Sequence, residues 1–146
     1  KERLPGFVGV KFTNQDYDLL QRCMANTSVK ADMLFGTDER LIEGLGFGCV
    51  GGVGSTYNFA SPLYLRIIDA FNRGDMESAN EDQAQSLKMI KRMYQSGFAA
   101  ACKAAMGFAG VDCGPVRPPI NRISTENLVS LRKDLDAMGF FDWAIK

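Results

Sequence analysis

The chain has 146 residues, 46% hydrophobic and 23% charged, with 17 basic and 17 acidic side chains. That is the make-up of one globular domain with a substantial core, and zero net charge gives no electrostatic reason to expect nucleic acid or an anionic membrane as partner. Histidine is absent, which excludes most catalytic triads, the His-based zinc sites and the usual physiological-pH switch.

Phe7 to Phe12 is short, aromatic and β-branched, and predicts a buried strand. Asp16 to Ala25 carries Tyr17, Leu19, Leu20, Cys23 and Met24 at helical spacing. Asp32 to Gly36 predicts a second strand. Thr37 then stands as an N-cap, with Asp38 and Glu39 in the first helical turn and Leu41, Ile42 and Leu45 behind them. Cys49 to Gly54 predicts a third, glycine-rich strand. A long helix starts near Tyr57 or Pro62 and runs to Asn72, stopped by Gly74. Strand and helix thus alternate three times with short connections, the βαβ pattern of a parallel sheet.

The remainder is helical. Asp75 caps a helix carrying Ala79, Leu87, Ile90, Met93 and Tyr94, and a second, small and apolar helix spans roughly Ala99 to Ala109. Prolines deny the segment from Gly114 to Pro119 a helix, so it is a connector. Ser124 caps a last helix with Leu128, Leu131, Leu135 and Met138 on one face. Cys23, Cys49, Cys102 and Cys113 are widely spaced, which suits free thiols in a reduced cytoplasm and neither a zinc site nor a disulfide scaffold. Lys103 interrupts the best apolar run, 97–111, so none reaches the ~18 residues of a membrane span. The chain starts at Lys1 rather than Met and enters a strand by Phe7, so an upstream part is expected.

Strand parity singles out one lysine. Val8, Val10 and Phe12 share an apolar face suited to packing under helices, while Phe7, Gly9, Lys11 and Thr13 share the other. Lys11 ends its strand where α/β sheets and (β/α)₈ barrels place active sites, and the ends of the other two strands, Gly36 and Ser55, converge on the same rim. An amine set in an apolar strand is disfavoured as ammonium and becomes a nucleophile for ketones. A lysine snorkelling from a strand end is the alternative. Thr13 could bond a substrate hydroxyl or simply leave the strand. Asp38 and Glu39 could accept bonds from a polyol or serve the helix dipole. The run from Gly51 to Ser55 admits close backbone approach but lacks the lysine and spacing of a phosphate loop.

The order Gly9-Val10-Lys11-Phe12-Thr13, Gly36-Thr37-Asp38-Glu39, Gly52-Val53-Gly54-Ser55-Thr56-Tyr57-Asn58 resembles the N-acetylneuraminate lyase branch of the dihydrodipicolinate synthase superfamily, and Arg117-Pro118-Pro119 resembles its C-terminal segment. The resemblance covers essentially the whole chain and only the second half of the family's protein. It implies an α/β fold, the C-terminal portion of a (β/α)₈ TIM barrel with about three parallel strands, followed by C-terminal helices. The barrel units would span 1–74 and the helical extension 75–146. It further implies reversible aldol cleavage of N-acetylneuraminate (sialic acid) to N-acetylmannosamine and pyruvate through a lysine Schiff base, without cofactor or metal, in a cytoplasmic homotetramer.

By position, Lys11 matches the Schiff-base lysine and Thr13 the threonine that orients substrate. Gly36, Asp38 and Glu39 resemble the group holding the polyol tail, and Ser55 another substrate contact. Thr37 departs from the tyrosine of some members. The family's Ser/Thr loop for the pyruvate carboxylate and its proton-shuttling tyrosine lie upstream of the lysine, and Tyr17, Tyr57, Tyr64 and Tyr94 fall in other motifs. The expected partner is therefore the N-terminal half of the barrel, since three strands cannot close one. A sister aldolase using the same pyruvate imine with another acceptor, and a non-catalytic half-barrel, remain as alternatives.

Overall fold

The computed structural model describes residues 4–26 and 31–145. They form two compact units, 1–54 and 55–146. The division expected after Gly74 and the boundary between these units thus stand at different places, the long helix 57–72 belonging to the second unit.

In the first unit, β1 (Gly9–Phe12), β2 (Asp32–Phe35) and β3 (Gly51–Gly52) form a parallel sheet in the order β1-β2-β3. Lys11 stands opposite Leu34, and Leu34 opposite Gly51; Phe12 stands opposite Phe35, and Phe35 opposite Gly52. One face therefore presents Val10, Phe12, Met33 and Phe35 to α1 (Tyr17–Ala25) and α2 (Leu41–Gly46). Phe12, Leu20, Met33, Phe35 and Cys49 make one buried cluster, with Val10, Tyr17, Leu19, Met24 and Phe47 against it. Each such large side chain contributes about 1.5–3 kcal/mol by burial. The expected helix-covered face is present, with one correction. Val8 is 77% exposed, because the cover of α1 reaches Val10 and Phe12 and stops short of it.

The strands are shorter than expected at both ends of the sheet, yet the ladder runs beyond them. Asp32 N–H donates to Val8 (2.9 Å), Val50 N–H to Met33 (2.9 Å) and Val53 N–H to Phe35 (2.9 Å). Asp16 caps α1, its carboxylate accepting from Leu19 N–H at 2.9 Å. Thr37 makes no side-chain cap bond. Asp38–Arg40 instead forms a 3-10 turn that leads into α2.

The second unit contains α3 (Tyr57–Asn72), α4 (Met76–Gln95), α5 (Phe98–Phe108), α6 (Thr125–Ala137) and α7 (Phe140–Trp143). Both expected starts of α3 leave a mark: it begins at Tyr57, loses helical geometry at Ala60 (φ −120°, ψ 20°) and resumes with Pro62 in its interior. Proline has no N–H to give the preceding turn, and its ring crowds the carbonyl four residues back. Leu63, Ile67, Met89, Ile90, Met93, Leu131, Leu135 and Phe140 are fully buried. Arg66 forks onto Asp82 (3.0 and 2.7 Å), joining α3 to α4, and Arg92 donates to Asp134 (2.5 Å), joining α4 to α6. The sequence pattern did not single out α7. It follows Gly139 (φ +78°), packs the Phe140 ring tilted against Phe59 and edge-on to Trp143, and ends with Ile145 N–H donating to the Phe59 carbonyl. None of Cys23, Cys49, Cys102 and Cys113 is in a disulfide. Among the described residues no helix is long and apolar enough to cross a membrane.

Candidate active site

Parallel strands of one sheet end on one rim, and here the chain leaves β1, β2 and β3 through Thr13, Gly36 and Val53, with Gly54 next. Lys11 and Thr13 lie on the face opposite the buried cluster, as parity requires, and both are exposed. Gly36 N–H donates to the Phe12 carbonyl at 2.8 Å, which carries the β1–β2 register one step past the strands and sets Gly36 beside Thr13. The approach there is close. A Cβ built on Gly36 would run into the Thr13 hydroxyl and come within 2.9 Å of both Thr13 Cβ and Lys11 Cε. Three expected site residues, Lys11, Thr13 and Gly36, are thus gathered on one bare stretch of backbone. Across the same face Leu34 is half-buried and Gly51 has no side chain, so the space over the lysine stem is left low.

On this face Phe7 is half-buried and Lys11 exposed. Among the described residues of this unit, α1 and α2 cover one face of the sheet, whereas parallel sheets are ordinarily covered on both.

Asp38 and Glu39 follow Gly36 on the 3-10 turn. They differ in setting. Glu39 is half-buried, while Asp38 is only 6% exposed. The Asp38 carboxylate rests against Gly54 in the space where a Cβ of residue 54 would stand, with Oδ2 2.5 Å from that position. The close backbone approach expected of the glycine run is therefore made to a side chain of this same chain. Gly54 carried no role of its own in the sequence pattern, and its proximity to Asp38 becomes visible only once β3 is set beside β2. Ser55, next in the chain, opens the second unit and is exposed; its carbonyl accepts from Asn58 Nδ2 at 2.9 Å. Behind it, buried Thr56 shares a 2.6 Å hydroxyl bond with Tyr64, whose ring meets Tyr57 edge-on at 4.2 Å. On the covered side of the sheet, Glu43 accepts from Tyr17 (2.9 Å) and from Arg40 (2.7 Å), and Arg40 lies over the Tyr17 ring. The Arg40 guanidinium, ahead of the opposing effect of burial, holds the Glu43 carboxyl below its ordinary value.

A cleft of about 360 Å³ lies in the second unit, lined by Lys103, Phe108, Val116, Arg122 and Leu128 among others, and includes none of the expected site residues. Among the described residues no group of three or more cysteine or carboxylate side chains is placed to hold a metal ion.

Residues 2–138 match the family model described as "Dihydrodipicolinate synthetase family". The chain is 33% identical over 148 residues to N-acetylneuraminate lyase of Sus scrofa, covering 97% of this chain and 46% of that protein. Its fold is similar to Proteus mirabilis N-acetylneuraminate lyase, with a TM-score of 0.88 and 34% identity over 95% of this chain and 47% of that one. It is also similar to the Fusobacterium nucleatum lyase complexed with pyruvate, with a TM-score of 0.81 and 26% identity over 90% of this chain and 44% of that one. The chain thus spans a little under half the length of these relatives. The three parallel strands with their helices are part of a TIM barrel. On this match, which takes in both compact units, the chain belongs to the dihydrodipicolinate synthetase family.

Proposed function

We propose that this chain supplies the imine-forming lysine and the acceptor-binding rim of a pyruvate-dependent class I aldolase that cleaves N-acetylneuraminate. The observation that carries the reading is the convergence of Lys11 and Thr13 on the bare Cα of Gly36 at the carboxyl ends of parallel strands. The Lys11 amine adds to the keto carbon of the open-chain sugar acid, water leaves, and a protonated imine forms. The bond between the carbon next to the imine and the hydroxylated carbon beyond it then breaks. Its electron pair enters the imine and gives an enamine. The hydroxyl proton is lost as the aldehyde, N-acetylmannosamine, departs. Protonation of the enamine carbon and hydrolysis return pyruvate and the free amine. Thr13 orients the substrate beside the imine, while Asp38, Glu39 and Ser55 take the hydroxylated end. Water exclusion over Lys11 and the proton-carrying hydroxyl come from the remaining strands of a complete barrel, in a cytoplasmic homotetramer.

Relatives named N-acetylneuraminate lyase, one of them complexed with pyruvate, support this choice of substrate. The test is borohydride reduction of the assembled barrel in the presence of pyruvate, followed by peptide mapping. The adduct is expected on the peptide bearing Lys11, and both adduct and N-acetylneuraminate cleavage should vanish in Lys11→Arg, because a guanidinium is not deprotonated near neutrality. An adduct on Lys88, Lys91 or Lys103, or undiminished turnover in Lys11→Arg, overturns the assignment. A Lys11 adduct without cleavage of N-acetylneuraminate would instead identify a sister aldolase with another acceptor.

A further inference from the structure

Asp38 is an acid buried to 6% exposure on a three-residue 3-10 turn. A buried carboxylate needs a fixed place, since desolvation penalises every position in which it is not satisfied. Its place here is defined by an absence. Built onto Gly54, a Cβ would fall within the Asp38 carboxylate, closer to Oδ1 and Cγ than atoms can approach and 2.5 Å from Oδ2. Gly54 has no positive φ that would call for glycine. The glycine at 54 therefore answers a demand for volume, and the atom group that fills the volume is one specific carboxylate.

We propose that Gly54 is a positioning residue that determines acceptor specificity, acting through Asp38. This rests on the reading of the rim as an aldolase site and deepens it. Any side chain at 54 turns the Asp38 carboxylate away from the strand ends, so the hydroxylated part of the sugar acid loses an acceptor. Lys11, Thr13 and Gly36 meet one another on the other side of β2, among contacts that include neither Asp38 nor Gly54, so imine formation with pyruvate proceeds as before.

The test is a double-mutant cycle in the assembled barrel with Gly54→Ala, Asp38→Ala and the pair, following borohydride trapping with pyruvate and steady-state cleavage of N-acetylneuraminate. Gly54→Ala should lower kcat/KM for cleavage by about tenfold to a hundredfold, chiefly through KM, while the Lys11 adduct forms undiminished. In the Asp38→Ala background the same substitution should change cleavage by less than about threefold, because the carboxylate it displaces is gone. If Gly54→Ala alone proves insoluble, recovery of folded, adduct-forming protein in the double variant supports the same competition for volume. Wild-type cleavage in Gly54→Ala, or a full and additive loss in the Asp38→Ala background, overturns the proposal. Failure of the unsubstituted protein to trap pyruvate on Lys11 overturns instead the aldolase reading beneath it, so the two failures are told apart.

Discussion

Gly36 stands where two side chains from the neighbouring strand have already taken the space a third would need. Replacing it by alanine would set a methyl group into the Thr13 side chain and 2.9 Å from Lys11 Cε, and the flexible lysine and the threonine rotor are what must yield. Misplacing a reacting group by about 1 Å costs on the order of a hundredfold in rate. Gly36→Ala is therefore expected to slow borohydride-trapped imine formation by tenfold or more while far-ultraviolet circular dichroism stays unchanged. Gly51→Ala is the control on the same face: its new methyl would meet Leu34 Cδ2 at 3.7 Å, an ordinary contact, and trapping should stay within about twofold of the parent. Equal rates in both variants would remove Gly36 from the site. Of these residues, Lys11 and Thr13 are legible in the sequence, because a period of two assigns them to the face opposite Val10 and Phe12. The place of Asp38 is not legible. It depends on how far β3 slides along β2, and a run of glycines has no side chains with which to announce that register.

Among the elements, the joint between α1 and the turn into α2 has a pH dependence whose sign can be worked out. Glu43 accepts from Arg40 (2.7 Å) and Tyr17 (2.9 Å), and the Arg40 bond is the largest cause of its lowered pKa. Burial, followed by the bond to Glu43, pushes the Tyr17 hydroxyl up, so it remains a donor through neutral pH. A carboxyl with a folded pKa below its unfolded value contributes stability that is fully present above the unfolded value and lost as pH falls through the folded one. Arg40 and Glu43 side chains are 37% and 42% exposed, so screening limits the pair to below about 1 kcal/mol. Glu43→Gln should accordingly cost less than that at pH 7, and should flatten the decline in denaturant midpoint on acidification below pH 4.5. A variant whose midpoint falls with acid as steeply as the parent's would place the acid sensitivity elsewhere. The element order itself was readable from caps and periodicity: Asp16 and Asp75 each accept from the backbone N–H three residues on, as does Ser124. What was not readable has local causes. Thr37 makes no cap because the chain enters a 3-10 turn, and α7 forms where Phe140 meets the Phe59 ring and Ile145 N–H donates to the Phe59 carbonyl, contacts distant in sequence.

At the scale of the whole chain, the two compact units differ in how much of their own structure they complete. The second buries Leu63, Ile67, Met89, Ile90, Met93, Leu131 and Leu135 within its own helices and braces them with the Arg66–Asp82 and Arg92–Asp134 pairs. Among its described residues the first holds a parallel sheet of three short strands with β1 and β3 as open edges, has helices on one face, and leaves Val8, Val50 and Val53 exposed at 77%, 64% and 42%. Open edges and bare apolar side chains template further pairing, and in a barrel they disappear into neighbouring strands. Local stability should divide accordingly, since backbone hydrogen bonds that water can reach open at little cost. In hydrogen exchange on the 146-residue chain, amides of α4 around Met89 and Ile90 and of α3 around Ile67 should be the slowest. Those of Val10, Lys11 and Phe12 should exchange at least about a hundredfold faster, and an apolar dye should bind the chain. Joining the rest of a barrel should then slow the β1 amides and expel the dye in one step, as the same strands that cover the edge also shield Lys11 from water. Strand amides already as slow as those of α4 in the chain by itself would mean that the sheet is self-sufficient, and the need for further strands over Lys11 would lose its physical basis.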